Sequence, residues 1–308
     1  MPDRAYYHPI DPELLPGARN AVEVCLRLQP KERITIITDS ATREIAAALQ
    51  QEVERVGSEY SVFVLEHHAR RPLKFMPEAI LEDLATSQVS IFAAQSQTGE
   101  LGSRIQMTSV VNNYGLRHGH MVNINHEIML EGMRADFLQV DELSQRLVER
   151  ARQAEKVTCK TPGGTEFVAE LSPRLKWLKT SGIITPDKWG NLPGGEIFTS
   201  PANTNGTFVV DGVVGDYLCQ KYGDLQKTPL TIEVKENRIH SLACDNKEML
   251  EEFRFVRTHK SHLVNADHIT KVSADRDALH LSDGSMVEIS RRKKDEVLQM
   301  LGARGGGN

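Results

Sequence analysis

No apolar run in this 308-residue chain approaches the length needed to cross a bilayer, so a helical membrane protein is not expected. No apolar core follows Met1-Pro2-Asp3-Arg4, so no secretory signal is expected there either. Cysteine is scarce. Cys25, Cys159, Cys219 and Cys244 stand far apart and form no CxxC pair, which points to reduced thiols in a cytoplasmic protein. Positive charge is outweighed by negative, with 37 Lys and Arg against 42 Asp and Glu. At a net charge of -5 the chain as a whole does not attract nucleic acid, and DNA binding requires a local basic patch. Neither Gly163-Gly164 nor Gly194-Gly195 leads into a Gly-Lys-Ser/Thr phosphate loop, no G-x-S-x-G nucleophile elbow occurs, and no internal repeat is visible. What is present is 40% hydrophobic and 26% charged, the composition of a globular protein with room for two domains.

The first half alternates strand and helix signals. Arg33-Ile34-Thr35-Ile36-Ile37-Thr38 is a β-branched run typical of a buried parallel strand. Asp39 and Ser40 follow as N-cap candidates. Ile45, Leu49, Val53 and Val56 share one helical face, and Gly57 ends that helix. Residues 60–65, 89–94 and 121–124 are read as further strands, Pro77 opens a helix through Leu84, and Leu143, Leu147 and Ala151 mark a long helix ending near Glu155. Alternation of this kind predicts an α/β domain over 1–155, a parallel sheet with flanking helices.

After Glu155 the pattern becomes β-rich. Residues 157–160 and 165–169 predict a hairpin, 197–199 and 207–211 further strands, and 230–235 with 238–242 a second hairpin around Glu236-Asn237. Residues 156–250 are read as a truncated second domain, 251–301 as a β segment whose acidic and basic residues roughly balance and which ends in a basic helix from Arg291 to Leu301, and the Gly-rich 302–308 as a disordered tail.

Asn191-Leu192-Pro193-Gly194-Gly195-Glu196 sets one carboxylate at the end of a Gly-rich turn, directly before a strand-like run. Such a carboxylate suits a divalent metal or a substrate amine; it also suits capping of backbone N–H groups or simple exposure to solvent. With Gly17-Ala18-Arg19-Asn20-Ala21-Val22, Glu131-Gly132-Met133-Arg134-Ala135-Asp136-Phe137 and Thr161-Pro162-Gly163-Gly164-Thr165, this string resembles the aminopeptidase T family of metallopeptidases over residues 10–252. The resemblance implies that Glu196 is a ligand of a divalent metal such as zinc, cobalt or manganese, and that a complete enzyme releases N-terminal residues from peptides. One carboxylate does not hold a catalytic metal. The family's remaining His, Asp and Glu ligands lie downstream, and nothing after Glu252 matches them. His118-x-His120, whose alternate spacing on a strand puts both imidazoles on one face, His126-Glu127 and His67-His68 are other candidate ligands, read in preference as solvated loop histidines.

A second resemblance begins at about Glu252. Residues 255–265, His268-Ile269, 279–285 and Ile289-Ser290-Arg291-Arg292-Lys293-Lys294 resemble the second half of a LytTR-type DNA-binding domain. By position, the resemblance puts Lys260 and Arg291 at DNA bases and Arg257, His259, Arg292 and Lys293 at phosphates. Arg and Lys suit both roles. A basic helix start facing solvent reads the same way without the motif.

Three readings follow. The chain is a LytTR-type DNA-binding protein, with a role in transcription regulation, whose N-terminal part is a sensory or homodimer-forming scaffold. Alternatively it is a metal-dependent aminopeptidase acting on peptides, or a fusion of two truncated domains with neither activity. DNA binding is the reading carried forward.

Overall fold

The computed structural model describes residues 10–186, 189–246, 248–249, 255–259, 262–265, 269–281 and 286–302. The chain divides into two compact units. One is Met1–Arg152 with Trp177–Thr199, and the other is Gln153–Lys176 with Ser200–Asn308. Among the described residues, no helix is long and apolar enough to cross a membrane.

The first unit is an α/β layer structure. Its strands are β1 (Arg33–Thr38), β2 (Glu59–Val64), β3 (Val89–Ala93), β4 (Arg117–His120) and β8 (Gly190–Asn191), parallel in the order β2-β1-β3-β4-β8. Alternation along each strand feeds two cores. Ile34, Ile36 and Ile91 face one, with Ile45, Leu49 and Val53 of α2 (Arg43–Val56). Ile37 and Phe92 face the other, with Ile80 of α4 (Glu78–Leu84) and Met107 of α5 (Leu101–Tyr114). Both faces are covered, which is why β1 and β3 are buried nearly throughout. Each such side chain contributes about 1.5–3 kcal/mol by leaving water. The remaining helices here are α1 (Leu15–Arg19), α3 (Leu65–His68), α6 (His126–Leu130) and α7 (Phe137–Ala151).

Two expectations are corrected. The fourth strand is Arg117–His120, not residues 121–124. Met121 and Asn123 donate to Phe92 O and Ala94 O, but Asn123 turns into the left-handed region at φ 58° and ends the extended path. Met121 and Ile124 are apolar because they enter the core from a turn. The residue preceding α2 is Thr42, not Asp39 or Ser40. Asp39 Oδ1 instead accepts from the N–H groups of Ala41 and Thr42, both at 3.0 Å, and so closes the loop from β1. Gly57 ends α2 at φ 82°, as the pattern requires.

The second unit holds β5 (Lys156–Lys160), β6 (Glu166–Glu170), β10 (Asn203–Val210), β11 (Leu230–Lys235) and β12 (Arg238–Ala243) in an antiparallel sheet of order β12-β11-β10-β6-β5. Glu236 and Asn237 take φ 50° and 63°, the conformation that a two-residue hairpin between β11 and β12 needs. One core joins Leu225, Leu230 and Met249 with partly buried residues of β10, β12 and α8 (Gly215–Tyr222). Beyond it lie the hairpin of β13 (Phe255–His259) and β14 (His262–Asn265), and the sheet of β15 (Ile269–Val272), β16 (Ala278–Leu281) and β17 (Met286–Glu288). The last helix is α9 (Lys294–Gly302). Val264, Leu279, Ile289 and Val297 form a separate core there. The tail expected to be disordered begins with Gly302 at the end of α9, and residues 303–308 lie outside the described residues.

Candidate functional site

Glu196 opens β9 (Glu196–Phe198), which pairs with β7 (Leu178–Thr180) in the first unit. Leu192 is buried and donates to His120 O, the Leu192–Pro193 bond is cis, and Gly195 donates to Thr180 O at 2.7 Å. Gly194 packs directly on Gly182, where a Cβ would meet Gly182 N at 2.5 Å. The turn therefore needs its glycine for packing. The Glu196 side chain is exposed, and Thr180 Oγ1 lies 3.2 Å from its Oε1. A hydroxyl is a poor substitute for the imidazole, thiolate and carboxylate donors of a catalytic metal centre. Among the described residues no three His, Cys, Asp or Glu gather as a metal-binding group, so the donor set around Glu196 does not fit a divalent metal. Thr180 also lines a cleft of about 260 Å³ with Asp141, Lys179, Ser181 and Trp189. Asp141 accepts from Lys179 Nζ at 2.7 Å and from Ser181 Oγ. Burial raises its pKa, and these two bonds more than offset that, leaving the carboxyl below its ordinary value.

The expectation of solvated loop histidines fails at His118 and His120. Both are buried on β4. His118 Nδ1 lies 2.8 Å from Ser90 Oγ, and its Nε2 lies 3.1 Å from His120 Nδ1. His120 stacks on Phe92 at 5.2 Å between centroids and meets Trp189 at 5.4 Å with the rings tilted by 60°. Burial pushes His120 down to about 4, helped by the charge of Arg104. Burial pushes His118 well below its ordinary value, helped by His120. Both rings are neutral packing groups at pH 7. His126 pairs with Glu44 at 3.1 Å, His67 Nε2 lies 2.9 Å from Arg43 Nη2, and the His68 ring packs against Phe63.

A buried ion network has no signal in the sequence. It sits at the carboxyl ends of β1 and β3, where the chain reverses its order across the sheet and open α/β folds hold ligands. Arg71 fills that place. Its guanidinium donates to Asp39 Oδ2 and Glu100 Oε2, both at 2.6 Å, and to Gln95 O. The bond to Glu100 is the largest cause of a raised Arg71 pKa. Burial raises Glu100, but the bonds from Arg71, Leu73 N and Gln97 N bring it below its ordinary value. Glu66 Oε1 lies 3.3 Å from the same guanidinium, so one cation is shared among three carboxylates and fills the place where a ligand would sit.

The basic residues named from sequence lie in the second unit. Arg257 and His259 are on β13, and Lys260 lies outside the described residues. Arg291 and Arg292 are exposed and Lys293 is half-buried, in the turn that leads into α9. The two segments meet through the backbone: Ser290 N donates to Thr258 O at 2.7 Å, between Arg257 and His259. Lys293 N closes the turn on Ser290 O at 2.9 Å, and Val297 N continues into the helix on Lys293 O. Four basic residues at the positive end of a helix oppose its dipole, so they do not serve α9 itself. They suit an anion outside the helix.

The comparisons with known proteins match this division. The family profile described as the LytTr DNA-binding domain matches residues 231–302. The profile described as 2,5-dihydroxypyridine 5,6-dioxygenase matches residues 13–259. The matches share 231–259, so the hairpin of β11 and β12, assigned from sequence to the aminopeptidase-like part, falls within both. Among solved structures, the chain is similar to the 2,5-dihydroxypyridine dioxygenase from Pseudomonas putida KT2440, with a TM-score of 0.58 and 13% identity, covering 78% of this chain and 70% of that one. It is also similar to wild-type AmpT from Thermus thermophilus, with a TM-score of 0.54 and 15% identity, covering 78% and 74%. At these identities the likeness is one of fold. No curated protein matches the chain.

Proposed function

We propose, from the premise that this chain belongs to the family described as 2,5-dihydroxypyridine 5,6-dioxygenase, that it is a DNA-binding protein of LytTR type carried on a catalytically incomplete scaffold of that family. The observation that carries the reading is the LytTr match over 231–302, which takes in β13 and the basic turn fastened to it by Ser290. Arg257, His259, Lys260, Arg292 and Lys293 are the proposed phosphate and base contacts, together with Arg291. Phosphate contacts fix register and supply most of the affinity, and base contacts supply selectivity. Metal-dependent chemistry, whether the oxygenation in the family's description or aminopeptidase action, is not carried forward, because the described residues around Glu196 do not supply the donors.

The test is a salt titration of binding to a fluorescent random-sequence duplex, followed by selection of preferred sites from the same pool. With four to six phosphate contacts, log K falls with log salt at a slope of about -4 to -5. Sequence-preferring sites then emerge at higher salt. Absence of binding at about 50 mM salt, where counterion release favours association most strongly, would overturn the reading.

A further inference from the structure

The turn between β15 and β16 contains an arginine in a place that backbone geometry reserves for other residues. Arg276 N donates to Ser273 O at 2.9 Å, which closes a four-residue turn, and Arg276 itself takes φ 55°. In hairpin loops of this kind the left-handed position after the turn ordinarily falls to Gly or Asn. The other left-handed non-glycine residues among those described have a bond to another segment to hold them. Arg27 Nη2 donates to Ile184 O, Asn123 Oδ1 accepts from Ser96 N, Glu236 N donates to Asn205 Oδ1, and Asn237 Nδ2 donates to Ala202 O. The Arg276 side chain is exposed and its guanidinium makes no hydrogen bond or ion pair with a described residue.

The turn does not need that guanidinium. Ser273 Oγ accepts from Asp277 N and Ala278 N and donates to Asp277 Oδ1 at 2.7 Å. Asp275 and Asp277 flank Arg276 in sequence, yet it pairs with neither. The turn is also fastened to both sides of the basic segment. Ile289 N donates to Asp277 O at 2.6 Å, and Lys294 Nζ donates to Asp275 O at 2.9 Å. Residue 276 is thereby held next to the stretch from Arg291 to Lys293. An unfavourable backbone conformation kept for an unengaged side chain is a pointer to function.

We propose that Arg276 is a phosphate-binding residue of the DNA interface, its guanidinium gripping a backbone phosphate beside those held by the Arg291–Lys293 turn. The proposal rests on the DNA-binding reading above. A planar guanidinium engages a phosphate through two parallel N–H groups, which an ammonium does not. The contact reads no base, so it acts alike on every sequence.

The experiment compares the full-length wild type with Arg276→Asn, Arg276→Gly and Arg276→Lys, by duplex anisotropy across about 50–200 mM salt and by thermal melting. Asn and Gly suit the left-handed backbone, so their Tm is expected to equal or exceed that of the wild type. Their affinity is expected to fall about tenfold on every duplex, and the salt slope to shrink by about 0.9. Arg276→Lys keeps the slope and loses part of the affinity. Unchanged affinity and slope in Arg276→Asn, with a binding wild type, would overturn this assignment alone. A loss of affinity that tracks a fall in Tm at constant slope would overturn it as well, by showing a structural role. A wild type that binds no duplex overturns the DNA-binding reading itself, and this assignment with it.

Discussion

A pair of neutral histidines inside a parallel sheet sets how the first unit responds to acid. His120 in the fold has a pKa of about 4, and His118 lies well below its ordinary value, in both cases chiefly through burial. In the unfolded chain both titrate near about 6.5. Below that pH the unfolded state takes up protons that the folded state refuses, so stability is complete above it and is lost as pH falls towards 4. The loss approaches about 1.4 kcal/mol per pH unit for each histidine. Urea midpoints of the wild type are expected to drop steeply between pH 6.5 and 5, and His120→Phe, which keeps a ring against Phe92 and Trp189, is expected to show about half that slope. An identical slope in the variant would show that His120 does not carry the effect. The spacing of the two histidines is plain in the sequence, and it puts both rings on one face if the segment is a strand. Their burial is not, because it depends on Ser90 and Phe92, neighbours only through the pairing of β3 with β4.

At the scale of elements, legibility follows the apolar pattern. β1, β2, β3 and α2 stand where β-branched runs and helical spacing place them. β4 was hidden because Arg117-His118-Gly119-His120 has no apolar run, and the one beside it, from Met121, belongs to a turn that buries its side chains. The Glu196 turn was visible as a motif, but its glycines are there for packing and not for a metal. Gly194 lies so close that an added Cβ would stand 2.5 Å from Gly182 N and 2.9 Å from Gly182 Cα, both rigid backbone. Gly194→Ala is therefore expected to cost about 1–3 kcal/mol, as overpacking does. Circular-dichroism melts should show a fall of several degrees, whereas Gly212→Ala, which meets nothing within 4 Å, should melt like the wild type. Equal Tm values for the two variants would mean that the turn adapts.

At the scale of the whole molecule, the overlap of the two family matches bears on how the chain was assembled. Residues 231–259 belong to both, and the hairpin of β11 and β12 shows why one segment can satisfy two families. β11 pairs with β10 over Gly206–Val210, as a scaffold strand would, while β12 lies against β14 at the start of the DNA-binding segment. The hydrophobic interiors remain separate. Leu230 packs with Leu225 and Met249, whereas Val264, Leu279, Ile289 and Val297 form the small core under α9. Among the described residues that core has four buried members, and a segment of about fifty residues is of a size at which chains fold alone only marginally. The sequence placed a junction near residue 252, but composition does not reveal that a hairpin upstream of it is shared, since shared strands have no distinguishing pattern. A fragment of residues 252–302 is therefore expected to show no cooperative melt and no DNA binding at salt concentrations where the full chain binds. A fragment that melts cooperatively and binds DNA as the full chain does would establish the C-terminal segment as an independent domain, with the hairpin serving the scaffold alone.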